Sequence, residues 1–212
     1  MNKTINPIPT KYNGILFRSR LEARWAVFFD YMNLKYFYEY EGFQLPRPMC
    51  KDYDSIDKID RWETLINYVP DFYIPKMVGG SDYWFEVKPI RSWNDDWTHI
   101  SKYELAKINR FGNFLEDNSR YGIIGDLKWC ADLAHSLYDD NGPEFARQYK
   151  DGSDAPYYFC RCPKCGKIGF EFEGRMERSG CCKEMSDFHK YRSYGDEMLQ
   201  NAYSCAQKYR FI

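Results

Sequence analysis

The 212-residue sequence contains no apolar run near the roughly 18–20 residues that a membrane-spanning helix requires. Its opening stretch, MNKTINPIPTKYNG, carries no hydrophobic leader. The expectation from both is a cytoplasmic protein with no membrane partner. Charge of either sign is not in surplus: 30 Lys and Arg face 31 Asp and Glu, for a net charge of −1. That excludes a histone-like or arginine-rich coat for nucleic acid, while leaving room for a local basic face. Histidine is scarce, with three in the chain. His99 and His135 stand isolated, which favours structural over catalytic roles. There is no internal repeat and no low-complexity tract, and nothing calls for an organic cofactor.

Aromatic residues are abundant: 19 Tyr, 15 Phe and 6 Trp within a hydrophobic fraction of 44%. Such a chain can bury a core, which excludes wholesale disorder. Its length suits one large domain, or a domain with an appendage. Of eight cysteines, five (Cys160, Cys162, Cys165, Cys181 and Cys182) fall close together, and Cys50, Cys130 and Cys205 are scattered. A secreted disulfide scaffold would spread its cysteines and bring an export signal. A tight cluster without one suggests a metal site.

Residues 1–14 are rich in Pro and Asn and are expected to be extended. From Leu21, the residues Trp25, Phe28, Phe29 and Met32 recur on one helical face, and Ser19 suits the N-cap, so the spacing predicts a helix over 19–33. KYFYEYEGF predicts a strand near 35–41, stopped by Gly42. Residues 46–68 have many acids and little periodicity, and are expected to form a loop. YVPDFYIP and SDYWFEVKP then read as the two strands of a hairpin around Gly79-Gly80. A helix is expected over 97–111, a buried strand at YGIIGDL, and partial helix over 127–150. DGSDAP resembles a linker, and DEMLQNAYSCAQKYRF a final helix with Leu199, Ala202, Tyr203 and Ala206 on one face. This pattern predicts an α/β domain over residues 1–150 and a cysteine-containing module with a terminal helix over 151–212.

Charged residues interrupt the apolar hairpin strands at two places. Asp71 follows Pro70, and Glu86 and Lys88 flank Val87. Strand alternation puts Glu86 and Lys88 on one side and Val87 on the other. A hairpin can bring Asp71 beside Glu86, so two carboxylates and an ammonium converge at one sheet edge. Hydrolysis of a phosphodiester uses a divalent cation on hard oxygen ligands to neutralise phosphate and activate water. A nearby lysine can orient that water or stabilise developing charge. The plainer reading makes Asp71 and Glu86 ordinary strand residues, with Lys88 pairing across the hairpin.

Pro70-Asp71 and Glu86-Val87-Lys88, in this order of elements, resemble the PD-(D/E)XK nuclease superfamily. FRSRLEARWAVFFD, YEYEGF, the cysteine segment and a terminal helix containing Leu199, Ala202, Tyr203, Ala206, Arg210 and Phe211 resemble phage and prophage proteins with this core. The resemblance implies a restriction-endonuclease-like αβββαβ core followed by a small zinc ribbon. It implies Glu22, Asp71 and Glu86 as ligands of Mg²⁺ or Mn²⁺, and Lys88 as the catalytic lysine. Glu22 has a second reading, since Ser19-x-x-Glu22 is also a capping box.

Arg18, Arg20 and Arg24 surround Glu22, with Lys11 nearby, and form a candidate phosphate-binding patch. A solvated helix face is the alternative, favoured for Arg24. Lys102 and Lys107 are further DNA-binding candidates. Trp93 and Trp97 suit packing better than base stacking, because Asp95 and Asp96 between them repel a nucleic-acid backbone.

In the cysteine segment, Cys162-Pro-Lys-Cys165-Gly forms a tight turn presenting two thiolates, and a hairpin bending at Gly174 returns Cys181 and Cys182. Four soft ligands at this spacing suit structural Zn²⁺. Cys160 or His189 remains open as a substitute for one of the four. The expected activity is Mg²⁺-dependent DNA cleavage by a phage-encoded endonuclease acting in the host cytoplasm, with a homodimer left open. The competing expectation is an inactive, zinc-braced module on the same fold that binds DNA or a host protein.

Overall fold

A computed structural model describes residues 6–46, 65–76, 82–89, 107, 111, 115, 119–124, 135–137, 158–162, 164–172, 175–176 and 196–212. The architecture is mixed α/β. The first element departs from the extended arm expected for residues 1–14. β1 (Thr10–Tyr12) pairs antiparallel with β2 (Ile15–Phe17), with Tyr12 opposite Ile15. The two residues between them, Asn13 and Gly14, have φ of 49° and 83°. Positive φ at both central positions is the geometry of a tight hairpin turn, and Asn-Gly is the pair that adopts it most readily.

α1 (Arg20–Tyr31) begins where Ser19, in extended conformation, accepts the Glu22 backbone N–H on its hydroxyl at 3.1 Å. It buries Trp25, Phe28 and Phe29 fully, as the spacing predicts. Asn33 stops the chain just beyond the helix with φ 53°, a conformation asparagine tolerates.

β3 (Phe37–Tyr38) is shorter than the strand expected over 35–41. Glu39 has φ 47°, which ends the strand, and its N–H donates to the Asp71 carbonyl at 3.0 Å. β4 (Phe43–Pro46) pairs antiparallel with β5 (Leu65–Tyr68), where a loop was expected for 46–68. The pairing sets Leu45 opposite Ile66, and Leu45 is fully buried. YVPDFYIP holds the last residue of β5 and, between Pro70 and Pro75, the whole of the short strand β6 (Phe72–Ile74). β5 ends before Val69-Pro70, since proline cannot continue a ladder, and β6 starts after Asp71.

The central sheet has the order β3-β6-β7-β8-β9, with β7 at Asp82–Val87, β8 at Ser119–Ile124 and β9 at His135–Leu137. β6 and β7 form the expected antiparallel hairpin, Phe72 opposite Phe85. β8 runs parallel to β7. A parallel neighbour needs a crossover connection, and Lys107 and Phe111, both within the expected 97–111 helix, are helical. β9 pairs antiparallel with β8, so residues 135–137 are strand where partial helix was expected.

α1 covers one face of this sheet: the Phe29 ring lies 5.2 Å from Phe72 and 6.3 Å from Phe85. Tyr83, Phe85 and Val87 join that core. Trp84 turns to the other face, against Phe43 at 5.2 Å and Phe111 at 5.8 Å. The C-terminal segment forms an antiparallel sheet of β10 (Tyr158–Arg161), β11 (Ile168–Phe172) and β12 (Arg175–Met176). Phe172 pairs opposite Arg175, and Gly174, where a bend was expected, lies outside the described residues.

α2 (Glu197–Lys208) buries Leu199, Ala202, Tyr203 and Ala206, the face the spacing predicts. The module expected over 151–212 shares the core of the preceding residues. The Tyr203 ring lies tilted 4.6 Å from Phe28, and Phe159 lies 5.2 Å from Phe28 and 6.0 Å from Trp25. Arg161 grips the Asp196 carboxylate at 2.8 Å, and Asp196 also accepts the Leu199 N–H, capping α2. Among the described residues, no helix is long and apolar enough to cross a membrane.

Phe159 is fully buried against α1 and lies 6.4 Å from Phe85. Phe159→Ala should therefore destabilise the whole chain by about 3–5 kcal/mol in a single transition. Urea unfolding followed by tryptophan fluorescence checks this. Loss of one of two separate transitions, with the other unchanged, would show that the C-terminal segment folds apart.

Candidate active site

Among the described residues, Glu22, Asp71 and Glu86 are buried acids. Each occupies its position for a local reason. Glu22 lies in the first turn of α1, where a carboxylate is favoured by the helix dipole. It completes the capping arrangement: Ser19 Oγ donates to Oε1 at 2.6 Å while accepting the Glu22 N–H. Its other oxygen, Oε2, accepts from the Tyr38 hydroxyl at 2.5 Å and from the Arg18 N–H at 3.1 Å. The capping role and a place in the acidic site therefore coexist.

Asp71 lies between the Pro70 break and β6, at the junction of three strands. Its Oδ2 accepts the Val87 N–H at 2.7 Å, and Oδ1 takes the Arg18 guanidinium. Glu86 and Lys88 lie on one side of β7 and its extension, as alternation requires, with Lys88 Nζ 2.9 Å from Glu86 Oε1. The Tyr68 hydroxyl donates to Glu86 Oε2 at 2.7 Å. Val87 points into the core.

Burial lifts the Asp71 carboxyl well above the ordinary range, and the negative charges of Glu86 and Glu22 raise it further. Arg18 and the Val87 N–H act in the opposite direction. Tyr38 is likewise raised by burial and by its bond to Glu22, which keeps it a neutral donor. The three carboxylates thus form a like-charged cluster that a cation would relieve. Their hard oxygens suit Mg²⁺ or Mn²⁺ chemically. Each carboxylate is already engaged by protein donors, and among the described residues no three Asp, Glu, His or Cys side chains form a ready cage.

Arg18 is half exposed and bridges inward to Asp71 and outward to Glu39 Oε1 at 2.9 Å. Arg20 is exposed, while Arg24 is partly covered, with its Nε buried and unpartnered. Lys107 is half-buried. Lys102, Trp93, Trp97, Asp95 and Asp96 lie outside the described residues.

At the cysteine turn, the Gly166 N–H donates to the Cys162 carbonyl, and the Cys162 N–H donates to the Lys167 carbonyl, both at 2.8 Å. Gly166 has φ 71°, which glycine adopts freely. Cys160 and Cys162 are buried and Cys165 is exposed. Cys181, Cys182 and His189 lie outside the described residues.

Tyr38, Tyr68 and Glu39 were not anticipated as site residues. Tyr38 could have been found by alternation within KYFYEYEGF. Tyr68 depends on the β4–β5 pairing, and Glu39 on a positive φ that nothing in its neighbours announces. No protein-family profile, no curated protein and no solved structure matches the chain.

The raised Asp71 carboxyl has a measurable consequence. The folded state holds the Asp71 proton more tightly than the unfolded chain does. Its contribution to stability is therefore complete below the ordinary carboxyl value of about 4, and is lost as pH rises through the folded value. Asp71→Asn should melt a few degrees above wild type near neutral pH, with the gap closing as pH falls toward about 4. Melting curves across that range check it, and a gap that widens on acidification would contradict the assignment.

Proposed function

We propose that this protein is a divalent-cation-dependent endonuclease that hydrolyses DNA phosphodiester bonds on a restriction-endonuclease-like core. The observation that carries this reading is the burial of Glu22, Asp71 and Glu86 beside Lys88 at one end of the central sheet. Buried like charges are costly, and an ordinary structural site does not need three. The strand arrangement adds support. α1 precedes three antiparallel strands, β3, β6 and β7, and β8 then joins parallel to β7 after a crossover. That is the order the PD-(D/E)XK resemblance implies.

A bound Mg²⁺ would neutralise phosphate oxygens and lower the pKa of an attacking water. The chain's own residues do the rest. Glu86 presents its carboxylate from β7 and Asp71 from the bend just before β6, and Glu22 adds a third from α1. Lys88, held by Glu86, donates toward the attacking water or the charge developing on phosphate. Exposed Arg20 and Lys11 lie on the same N-terminal segment as Glu22 and are available to backbone phosphates. In the C-terminal module, we assign Cys162 and Cys165 to a structural Zn²⁺, completed by Cys181 and Cys182, with His189 or Cys160 as substitutes. The Cys162–Gly166 turn supports two of those ligands.

A second reading has its own observation. The carboxylates are already satisfied by Ser19, Tyr38, Arg18, Val87, Tyr68 and Lys88. A chain that kept the fold but only binds DNA or a host protein would look the same.

Cleavage of supercoiled, linear, branched and single-stranded DNA with Mg²⁺ or Mn²⁺ separates the two. Wild type should cut at least one substrate, and Glu86→Ala should lose about a thousandfold in rate or more. A folded wild type inert on every substrate favours the binding module, and equal cutting by both proteins removes Glu86 from catalysis. For the ribbon, protein purified without added zinc should carry about one Zn²⁺ per chain. Cys162→Ser should lower both the zinc content and the melting temperature, and a metal-free wild type would overturn the zinc assignment.

A further inference from the structure

We propose that Arg18 gates the carboxylate site: its guanidinium and a divalent cation compete for Asp71 Oδ1, and the displaced arginine becomes a contact for substrate phosphate. This rests on the cation-dependent reading above. The geometry leaves one oxygen to compete for. Asp71 Oδ2 is committed to the Val87 N–H at 2.7 Å, a bond that ties Asp71 to the strand carrying Glu86. Oδ1 is held by the Arg18 guanidinium. A cation that ligates Asp71 while this bond persists takes Oδ1, and its charge repels the guanidinium that already occupies that oxygen.

The charge balance points the same way. Among the described residues, the acids Glu22, Asp71 and Glu86 are buried, and the Lys88 ammonium bonds to Glu86. Arg18 supplies one further positive charge to this cluster, and a divalent cation supplies two. The exchange therefore brings the site closer to neutrality.

Arg18 is built to move at one end only. Its N–H is fixed to Glu22 Oε2 at 3.1 Å and to the Tyr38 hydroxyl at 3.0 Å. Its side chain runs outward and is 54% exposed, whereas Asp71 is 3% exposed. Glu39 holds the Arg18 Nε at 2.9 Å on the solvent side. Glu39 is itself set in place by its positive φ and by its N–H bond to the Asp71 carbonyl. Release of Oδ1 thus frees the terminal nitrogens of the guanidinium at the rim of the site while Glu39 keeps the side chain docked. A planar guanidinium there is suited to bidentate contact with a phosphate. Arg18 is then a positioning residue for Asp71 in one state and a phosphate contact in the other.

Mn²⁺ binding without DNA, measured by calorimetry, tests this directly. Arg18→Met keeps the stem and removes the charge, so it should bind Mn²⁺ about tenfold more tightly than wild type. At saturating Mn²⁺ the same variant should cut DNA with a raised KM, because the phosphate contact is gone. Arg18→Gln removes the same charge on a shorter polar stem, should likewise tighten Mn²⁺ binding, and decides the matter if Arg18→Met fails to fold. Asp71→Asn is the control. If Asp71→Asn abolishes Mn²⁺ binding while neither Arg18→Met nor Arg18→Gln strengthens it, the gate is overturned and the metal-site reading stands. If Asp71→Asn leaves Mn²⁺ binding unchanged, the ion lies elsewhere and both readings fall.

Discussion

Asp71 must be buried, charged or protonated, among other acids, and the surrounding structure is arranged to meet that demand. Its carbonyl accepts the Glu39 N–H beyond β3, its Oδ2 accepts the Val87 N–H at the end of β7, and its Oδ1 takes Arg18 from the approach to α1. One residue therefore ties three strands and a helix start together. A buried carboxylate left without donors would cost several kcal/mol. The Pro70 break supports the same end, since it interrupts the chain between β5 and β6 and leaves Asp71 outside the ladder, free to bond sideways.

The apolar counterpart is α1, which serves two surfaces at once. Its Phe29 packs on Phe72 and Phe85 of the central sheet, while Trp25 and Phe28 meet Tyr203 of α2 and Phe159 of β10. The same helix carries Glu22 in its first turn. The position of that carboxylate consequently depends on packing contributed by the C-terminal residues. The Arg161–Asp196 pair strengthens this link by joining the strand that leads into the Cys162 turn to the cap of α2.

Elements governed by nearest neighbours were readable from the chain. α1 announced itself through Ser19 and the 3.6-residue recurrence of Trp25, Phe28 and Phe29, and α2 through Leu199, Ala202, Tyr203 and Ala206. The β6–β7 hairpin and the shared side of Glu86 and Lys88 followed from a period of two. The β1–β2 turn was also readable from Asn13-Gly14, and was missed because the prolines upstream suggested an extended arm. The β4–β5 pair was not readable, because its partners are separated by a long acidic stretch without periodicity. Tyr68 as the donor to Glu86 was hidden for the same reason.

The order of residues alone was sufficient for a mixed α/β chain, its main helices, its hairpin and the four residues Glu22, Asp71, Glu86 and Lys88 as chemically notable. Periodicity and capping act over a few residues, so they leave a local trace. Only the folded chain decided which donors hold each carboxylate. The bridge from Arg18 spans 53 residues to Asp71 and 21 to Glu39. Such contacts are set by how strands and helices pack, which no local pattern records.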